Sequence, residues 1–311
     1  MLVNANNLKG VLAVVAASFL WGTTGIMATF TTNVSSLAIG AFAMGVAGVL
    51  LVLINFSYLA QNYRLILKQK MLYSLGVLSV TVYPLAFYSS MRISGVAIGT
   101  IASLATAPIF AAIIECLFSQ KVISKQWVIS FAFGAIGIIL LTAGKENTLS
   151  STANTYQHTV GVVLGCIAGI TYACYSWIAR ALIDKGVHPR SALSGLFGGA
   201  AILLLPSLWF TGDNLFSNKT NGFVSLYMAI VPMCLGYLLF SYALKFIDTS
   251  RATVITLLEP LIATILAVFL LGESFQVTGW LGGLLVFLCL IIQSVKLNFS
   301  FNLFKSNKYN L

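Results

Sequence analysis

The sequence predicts an all-α membrane protein whose ten transmembrane helices form two inverted five-helix repeats, with both termini in the cytoplasm. Three observations lead to this fold class: ten apolar segments, an alternating distribution of lysine and arginine, and motifs that recur in the same order. Of the 311 residues, 59% are hydrophobic and 8% are charged. A soluble domain carries about 25% charged residues. This composition therefore excludes a soluble globular fold.

The apolar segments are each about as long as the 20 residues that a helix needs to cross a bilayer. They cover roughly residues 8–30, 36–56, 71–91, 96–118, 127–143, 160–180, 190–210, 223–244, 252–271 and 277–295. The first segment could be mistaken for a signal peptide. It has no small-x-small cleavage site, and Trp21-Gly-Thr-Thr24 stands where cleavage would occur. It is therefore expected to be a true span.

The basic residues alternate between the two sides that ten spans define. Fourteen of the 17 lysines and arginines fall on the side that holds both termini, and Arg92, Lys145 and Lys219 fall on the other. Cytoplasmic loops carry the excess of lysine and arginine. The net charge of +10 is thus explained by topology and contact with membrane lipids, and no nucleic-acid partner is expected.

Four motifs recur in the same order in the two halves. They are Gly10–Trp21 with Gly161–Tyr172, Ser36–Phe42 with Ser191–Phe197, Phe87–Arg92 with Phe240–Lys245, and Ala107-Pro108 with Glu259-Pro260. The predicted repeats are residues 1–145 and 155–296, followed by a cytoplasmic tail, 297–311. An odd number of spans per repeat gives the two halves opposite orientations, as in many secondary transporters.

Prolines occupy corresponding spans of the two halves and are predicted to break the helices there. They are Pro84, Pro108, Pro232 and Pro260, in the third, fourth, eighth and ninth spans. Interrupted helices in corresponding positions point to a binding site at the midplane between repeats. The alternative is that these prolines only kink helices for packing.

Glu259 lies next to Pro260 in the ninth apolar segment. If residues 252–271 span the membrane, Glu259 lies about 4 Å from the midplane at ~1.5 Å per residue. An ionisable group at that depth indicates a functional site. Pro260 has no N–H and is expected to free the carbonyl of Thr256. The alternative is a protonated Glu259 that makes a structural hydrogen bond between packed helices.

Polar and aromatic residues near the middle of several spans are candidates for contact with a solute. The predicted substrate-binding residues are Trp21, Thr24, Tyr83, Tyr88, Tyr172, Tyr175, Tyr237, Ser241 and Glu259, and Trp177 and Tyr242 are weaker candidates. An aromatic-lined pocket suits an amphipathic organic solute, and a ring face can hold a cation. Each aromatic residue could instead anchor the protein at the membrane interface.

No sequence motif for catalysis or metal binding is present. The sequence contains neither GxxxxGK[ST] nor HExxH, and its five cysteines lie in apolar segments without metal-type spacing. We therefore expect no catalytic residue, metal or cofactor. Glu115 is expected to line an inner vestibule, to pair with Lys121 or Lys125, or to reach the interface, and the last two are favoured. Glu273 is expected to cap a helix end or contact a loop.

Several of these motifs resemble the drug/metabolite transporter superfamily, and within it the ten-helix EamA type. They are Leu20-Trp-Gly-Thr-Thr24, Ala97…Ala107-Pro108, Ala252…Leu258-Glu-Pro260, and Leu271-Gly-Glu-Ser274 followed by Gly279-Trp-Leu-Gly282. The resemblance implies that each half is an EamA domain, and that spans 1, 3, 4, 6, 8 and 9 line a central cavity. It also implies export of amino acids, related metabolites or drugs across the bacterial inner membrane. An arginine frequent early in the second span of this family is absent, and the first-half Leu-Gly-Glu motif is replaced by Phe118-Ser-Gln120.

Three functions remain open at this point. The first is a secondary exporter of amino acids or similar small amphipathic metabolites, with Glu259 binding a proton or the substrate amine. The second is an exporter of drugs or organic cations. The third is a membrane-embedded enzyme or assembly partner, which the absence of a catalytic motif disfavours. The sequence leaves open the substrate, the coupling ion, the direction of transport and the oligomeric state.

Overall fold

The computed structural model describes residues 5–94, 96–144, 155–272, 274 and 276–294, and its regular elements are all helices. Ten of the described segments are long and apolar enough to cross a membrane, as predicted. Spans 1 to 5 contain α1 (Ala5–Gly22) with α2 (Thr24–Thr29), α3 (Ser36–Ile54), α5 (Lys70–Ser94), α6 (Val96–Ser119) and α7 (Lys125–Ala143), and α4 (Phe56–Lys68) lies between spans 2 and 3. Spans 6 to 10 contain α8 (Thr155–Asp184), α9 (Pro189–Thr211), α10 (Lys219–Met228) with a π-helical segment (Ala229–Leu235) and α11 (Gly236–Ala243), α12 (Thr249–Ile255) with α13 (Leu258–Leu271), and α14 (Val277–Ser294).

Span 9 is interrupted directly before Glu259. The amide of Leu257 bonds to the carbonyl of Val254 at 3.2 Å, and the amide of Glu259 bonds to the carbonyl of Thr256 at 3.0 Å. Both bonds connect residues three apart, which tightens the helix at this point. The expectation that Pro260 leaves the Thr256 carbonyl free is therefore wrong, because the amide one residue before the proline occupies it.

Spans 1 and 8 are interrupted as well. Span 1 is broken at Thr23, and span 8 contains the π-helical segment around Pro232. π-Helical turns are rare in proteins overall, but those that occur are frequently found at functional sites. By contrast, α5 and α6 continue through Pro84 and Pro108. The predicted helix breaks at these two prolines are therefore not found. A membrane span can remain helical through a proline when neighbouring helices satisfy the freed backbone groups.

The two halves of the chain pack against each other along their full length. Span 2 packs against span 7 and span 5 against span 10, while span 6 packs against spans 3 and 4 and span 1 against spans 8 and 9. Glycines allow the closest contacts. A Cβ added to Gly48 would lie 2.3 Å from the carbonyl oxygen of Phe197, and one added to Gly282 would lie 2.5 Å from that of Gly137. The interface between the halves therefore leaves no room for larger residues at these points.

Candidate functional site

A cluster of aromatic rings joins spans 1, 3, 6 and 8 in the interior of the bundle. The ring of Tyr83 lies 5.5 Å from that of Tyr172 and 5.7 Å from that of Tyr175. The hydroxyl groups of Tyr175 and Tyr237 are 2.8 Å apart, and Trp21 packs against Tyr237 at 5.0 Å between ring centroids. These distances are typical of aromatic pairs that pack edge to face or with offset. Residues far apart in sequence thus form one continuous aromatic cluster.

A small cavity of about 20 Å³ opens beside this cluster. Its lining is Trp21, Thr24, Met44, Tyr83, Pro84, Phe87, Tyr88, Tyr172, Met233, Tyr237 and Glu259. Such a volume accommodates about one water molecule. Seven of the nine predicted binding residues lie in this lining. In this conformation the cavity is therefore too small for an organic solute, and a larger binding space requires the spans around it to move.

Among the described residues, Glu259 supplies the only acidic group to this lining. It is the eleventh of the 22 residues of span 9 and lies in the first turn of α13. Tyr83, Tyr88, Tyr172 and Tyr237 line the same cavity as this carboxyl group. Among the described residues no lysine, arginine or histidine pairs with it. The site therefore combines one carboxyl group with several phenolic hydroxyls and ring faces.

Polar groups of Trp21, Thr24 and Tyr172 border the cavity near the helix breaks. Trp21 is 5% exposed, and its indole N–H has no hydrogen-bond acceptor in the part of the chain that the structure describes. The absence of a side chain at Gly236 makes room for this indole, because a Cβ there would lie 2.6 Å from Nε1. The hydroxyl of Thr24 donates to the carbonyl of Trp21 at 2.7 Å. The hydroxyl of Tyr172 donates to Oγ1 of Thr256 at 3.4 Å, at the break in span 9.

The sequence pattern of the EamA-like transporter family matches residues 8–143 and 159–295. The chain belongs to the EamA-like transporter family. It is 30% identical over 287 residues to the uncharacterized transporter YwfM of Bacillus subtilis, covering 91% of this chain and 93% of that protein. It is 24% identical over 296 residues to the uncharacterized inner membrane transporter YicL of Salmonella typhimurium, covering 92% and 95% of the two chains.

A solved crystal structure shares the fold of this EamA-like transporter. It superposes with a TM-score of 0.74 at 14% sequence identity and covers 91% of this chain and 95% of its own. The ten membrane-capable helices and the family together make the protein a multi-pass membrane transporter. Its relatives in bacteria include proteins described as inner membrane transporters.

Two predicted residues of the transporter do not line the cavity. Tyr175 is fully buried behind it, where its hydroxyl bonds to that of Tyr237. Ser241 is 2% exposed and donates to the carbonyl of Pro189 at the start of span 7. It therefore joins spans 7 and 8 at their ends. Of the two weaker candidates, Trp177 donates to the hydroxyl of Ser119 at 2.9 Å, away from the cavity.

Sequence reasoning did not select three apolar residues that line the cavity. They are Met44, Phe87 and Met233. Phe87 stands in one of the recurring motifs, so its position in the repeat was a usable signal. The two methionines lie in uniformly apolar segments, where nothing in the sequence separates a cavity-facing residue from a buried one.

Glu115 has a role that differs from the predicted one. It is 3% exposed, and its carboxylate accepts hydrogen bonds from the amides of Thr249 at 2.8 Å and Ser250 at 3.3 Å. Lys121 pairs with Asp248 instead. The expectation of an interfacial or lysine-paired Glu115 is therefore wrong, because the free amides at the start of α12 offer it buried donors. Glu115 itself lines a cavity of about 360 Å³ at this end of the bundle, which agrees with the alternative of an inner vestibule.

Two other expectations concern Glu273 and metal binding. Glu273 lies outside the described residues. Within the described part of the chain, no group of three or more histidine, cysteine, aspartate or glutamate residues is arranged to hold a metal ion.

Proposed function

We propose that the protein is a secondary transporter that exports amino acids or similar small amphipathic metabolites across the inner membrane by alternating access. The observation that carries the proposal is Glu259, a carboxyl group at mid-span, beside a helix break and in the lining of an aromatic cavity. Half-helix ends at the bilayer midplane form the substrate and ion sites of many secondary transporters. An intramembrane carboxyl group without a cationic partner is expensive and is retained where it functions.

The proposed architecture consists of two inverted repeats, residues 1–145 and 155–296, with both termini in the cytoplasm. The packing supports it, because the main contacts between the halves have counterparts when the halves are exchanged. Span 3 contacts span 6 as span 8 contacts span 1, and span 4 contacts span 6 as span 9 contacts span 1. A green fluorescent protein fused to the C-terminus should fluoresce if this end is cytoplasmic, and a dark fusion would contradict the topology.

Glu259 is proposed to couple substrate movement to protons. The carboxyl group can hold either a proton or the ammonium group of a substrate, and the two occupants exclude each other. A proton taken up on one side of the membrane would therefore release the substrate there. Movement of the empty, negatively charged form is disfavoured because a buried unpaired charge is costly.

The charge balance of the lining favours a second candidate substrate class, organic cations without a carboxylate. The described residues of the lining include one acidic side chain, Glu259, and no basic one. An amino acid has a carboxylate as well as an ammonium group, and that carboxylate would depend on neutral donors. The unpaired indole N–H of Trp21 and the tyrosine hydroxyls could serve as such donors. Both classes thus use Glu259 for the amine, and they differ in what they require of Trp21.

Three solutes with the same ring separate these possibilities. Phenylalanine is zwitterionic, phenethylamine is a cation and 3-phenylpropanoate is an anion. We would measure counterflow of each labelled solute in proteoliposomes, with and without a pH gradient. An amino-acid carrier moves phenylalanine most rapidly, and an organic-cation carrier moves phenethylamine most rapidly. Selective movement of the anion would contradict the role of Glu259, and conversion of any solute to a product would favour the membrane-enzyme alternative.

The direction of transport is tested in cells. Cells loaded with the selected solute should lose it faster when they produce the wild-type protein than when they produce the Glu259→Gln variant. Net accumulation by cells with the wild-type protein would show import and contradict the proposed export.

A further inference from the structure

Helix α4 (Phe56–Lys68) lies between spans 2 and 3 and presents three distinct faces. Its inner face contains Leu59, Asn62 and Ile66, spaced three and four residues apart as helix geometry requires. Ile66 is 4% exposed, and Leu59 packs against the core. A Cβ added to Gly195 of span 7 would lie 3.4 Å from the side chain of Ile66. This face therefore fixes α4 against the end of span 7.

The outer face of α4 is apolar and exposed. Phe56, Tyr63 and Leu67 lie along one line of the helix and are 65%, 48% and 58% exposed. Next to α4 in the chain, Leu53 at the end of span 2 and Met71 at the start of span 3 are also apolar, and they are 64% and 85% exposed. Because both neighbouring spans reach the membrane surface here, this apolar face lies at the level where headgroups meet acyl chains.

The third face of α4, beside the apolar one, is basic. It contains Arg64 and Lys68, both exposed, and α4 contains no acidic residue. On the neighbouring segment Lys185 and Arg190 are exposed as well. The nearby Asp184 is already paired with Arg180 at 3.0 Å. Positive charge next to an exposed apolar face is the pattern of a helix that lies on an anionic membrane surface.

Contacts with α4 also hold the connection between spans 6 and 7. The side-chain oxygen of Asn62 accepts a hydrogen bond from the amide of His188 at 3.1 Å. The ring of Tyr58 stacks on His188 at 4.3 Å, and Lys185 donates to Gln69 at 2.7 Å. Span 6 contributes Tyr172 to the cavity. A force that fixes α4 at the membrane surface therefore also fixes the connection that leads to the cavity.

We propose that α4 is a membrane-surface anchor that binds anionic phospholipids of the bilayer. Arg64 and Lys68 contact the negatively charged headgroups, while Phe56, Tyr63 and Leu67 enter the boundary with the acyl chains. The bound lipid steadies the connection between spans 6 and 7 through Asn62 and Tyr58. This anchor is independent of the substrate that the transporter carries.

The test uses the full-length protein in detergent and soluble short-chain lipids. Native mass spectrometry measures binding of dioctanoyl phosphatidylglycerol, dioctanoyl phosphatidylcholine and glycerol 3-phosphate to the wild type and to two double variants. Arg64→Gln/Lys68→Gln removes both charges of α4. Arg92→Gln/Lys219→Gln is the matched control, because it removes two exposed charges elsewhere in the chain. Monodisperse elution and thermal unfolding show that each variant is folded.

The wild type should bind phosphatidylglycerol more tightly than phosphatidylcholine. A hydrogen bond to a charged phosphate contributes about tenfold or more in affinity, so the α4 variant should lose about tenfold or more while the control keeps its affinity. Equal loss in both variants, equal binding of the two lipids, or equally tight binding of glycerol 3-phosphate would overturn the proposal. Disulfide cross-links between two copies of a Phe56→Cys or Tyr63→Cys variant in phosphatidylcholine vesicles, absent from the wild type, would also overturn it, because the apolar face would then belong to a dimer.

Discussion

The Glu259→Gln substitution tests the centre of the proposed mechanism. Glutamine keeps the size of the side chain and removes its charge. Since no described cation pairs with Glu259, no partner is left uncompensated, and we expect the folded protein to be as stable as the wild type or more stable. A hydrogen bond between the carboxylate and a substrate ammonium group contributes about 1.5–3 kcal/mol. The variant should therefore bind phenethylamine about 10- to 150-fold more weakly.

The matched control is Glu115→Gln, which makes the same chemical change outside the cavity. Glu115 accepts hydrogen bonds from two amides at the start of α12. Loss of its charge weakens these bonds, by about 1 kcal/mol or more. This variant should therefore unfold at a lower temperature and still bind phenethylamine like the wild type.

The assay combines isothermal titration with phenethylamine and thermal unfolding of both variants in the same detergent. The expected pattern is crossed: one variant loses affinity and the other loses stability. Unchanged binding by Glu259→Gln would refute the reasoning, because the carboxyl group would then not contact the amine. A stability loss in Glu259→Gln as large as that of Glu115→Gln would favour the structural role of Glu259 between packed helices.

Three further variants test the packing around the site. Gly236→Ala should displace the indole of Trp21, since the new Cβ would lie 2.6 Å from Nε1, and should cost about 1–3 kcal/mol of stability, with a shift in tryptophan emission as the readout. Asn221 is fully buried and hydrogen-bonds both the amide and the carbonyl of Thr32, each at 3.0 Å. Asn221→Ala should therefore cost about 1–3 kcal/mol of stability for each buried group left unpaired. It should also speed hydrogen exchange in residues 30–35. Burial, followed by the charges of two nearby cations, lowers the pKa of His188 below its usual value. The unfolded chain therefore binds a proton at this histidine at higher pH than the folded protein does. The stability that neutral His188 contributes above about pH 6.5 is consequently lost as the pH decreases. The unfolding temperature of His188→Asn should fall less than that of the wild type between pH 7 and pH 5, and equal slopes would contradict this assignment.

The span count and the family could be predicted because they depend on local sequence properties. Apolar runs of sufficient length and the motifs around Trp21 and Glu259 need no knowledge of packing. The α4 helix was missed because it is too polar to be a span. The spacing of Leu59, Asn62 and Ile66 would have indicated a helix with one buried face.

The direction in which each side chain points was harder to predict. A helix that is apolar all round carries no pattern that separates its cavity face from its packed or lipid faces. Ser241 was therefore placed in the site although it bonds to Pro189, and Glu115 was placed at the surface although α12 buries it. For the same reason the effect of a proline depends on neighbouring spans, so Pro84 and Pro108 do not break their helices.

The interruptions are distributed unequally between two groups of spans. Spans 1, 8 and 9 are interrupted, and span 1 packs against the other two. Their counterparts in the proposed repeat, spans 6, 3 and 4, are continuous and also pack together. In an inverted-repeat transporter, alternating access moves one repeat against the other, and we expect the two access states to exchange the conformations of the two halves.

The opposite access state should therefore have the reverse distribution of bent and straight helices. Spans 3 and 4 should bend near Pro84 and Pro108, while spans 8 and 9 straighten near Pro232 and Pro260. Hydrogen exchange measured with and without a substrate that traps one state should then rise in the turns after Pro84 and Pro108 and fall in those after Pro232 and Pro260. A change confined to spans 1, 8 and 9 would contradict this exchange, because one fixed group of helices would then act as a scaffold for a single moving one. The four prolines are accordingly expected to act in alternate states, and a single conformation displays only half of them as breaks.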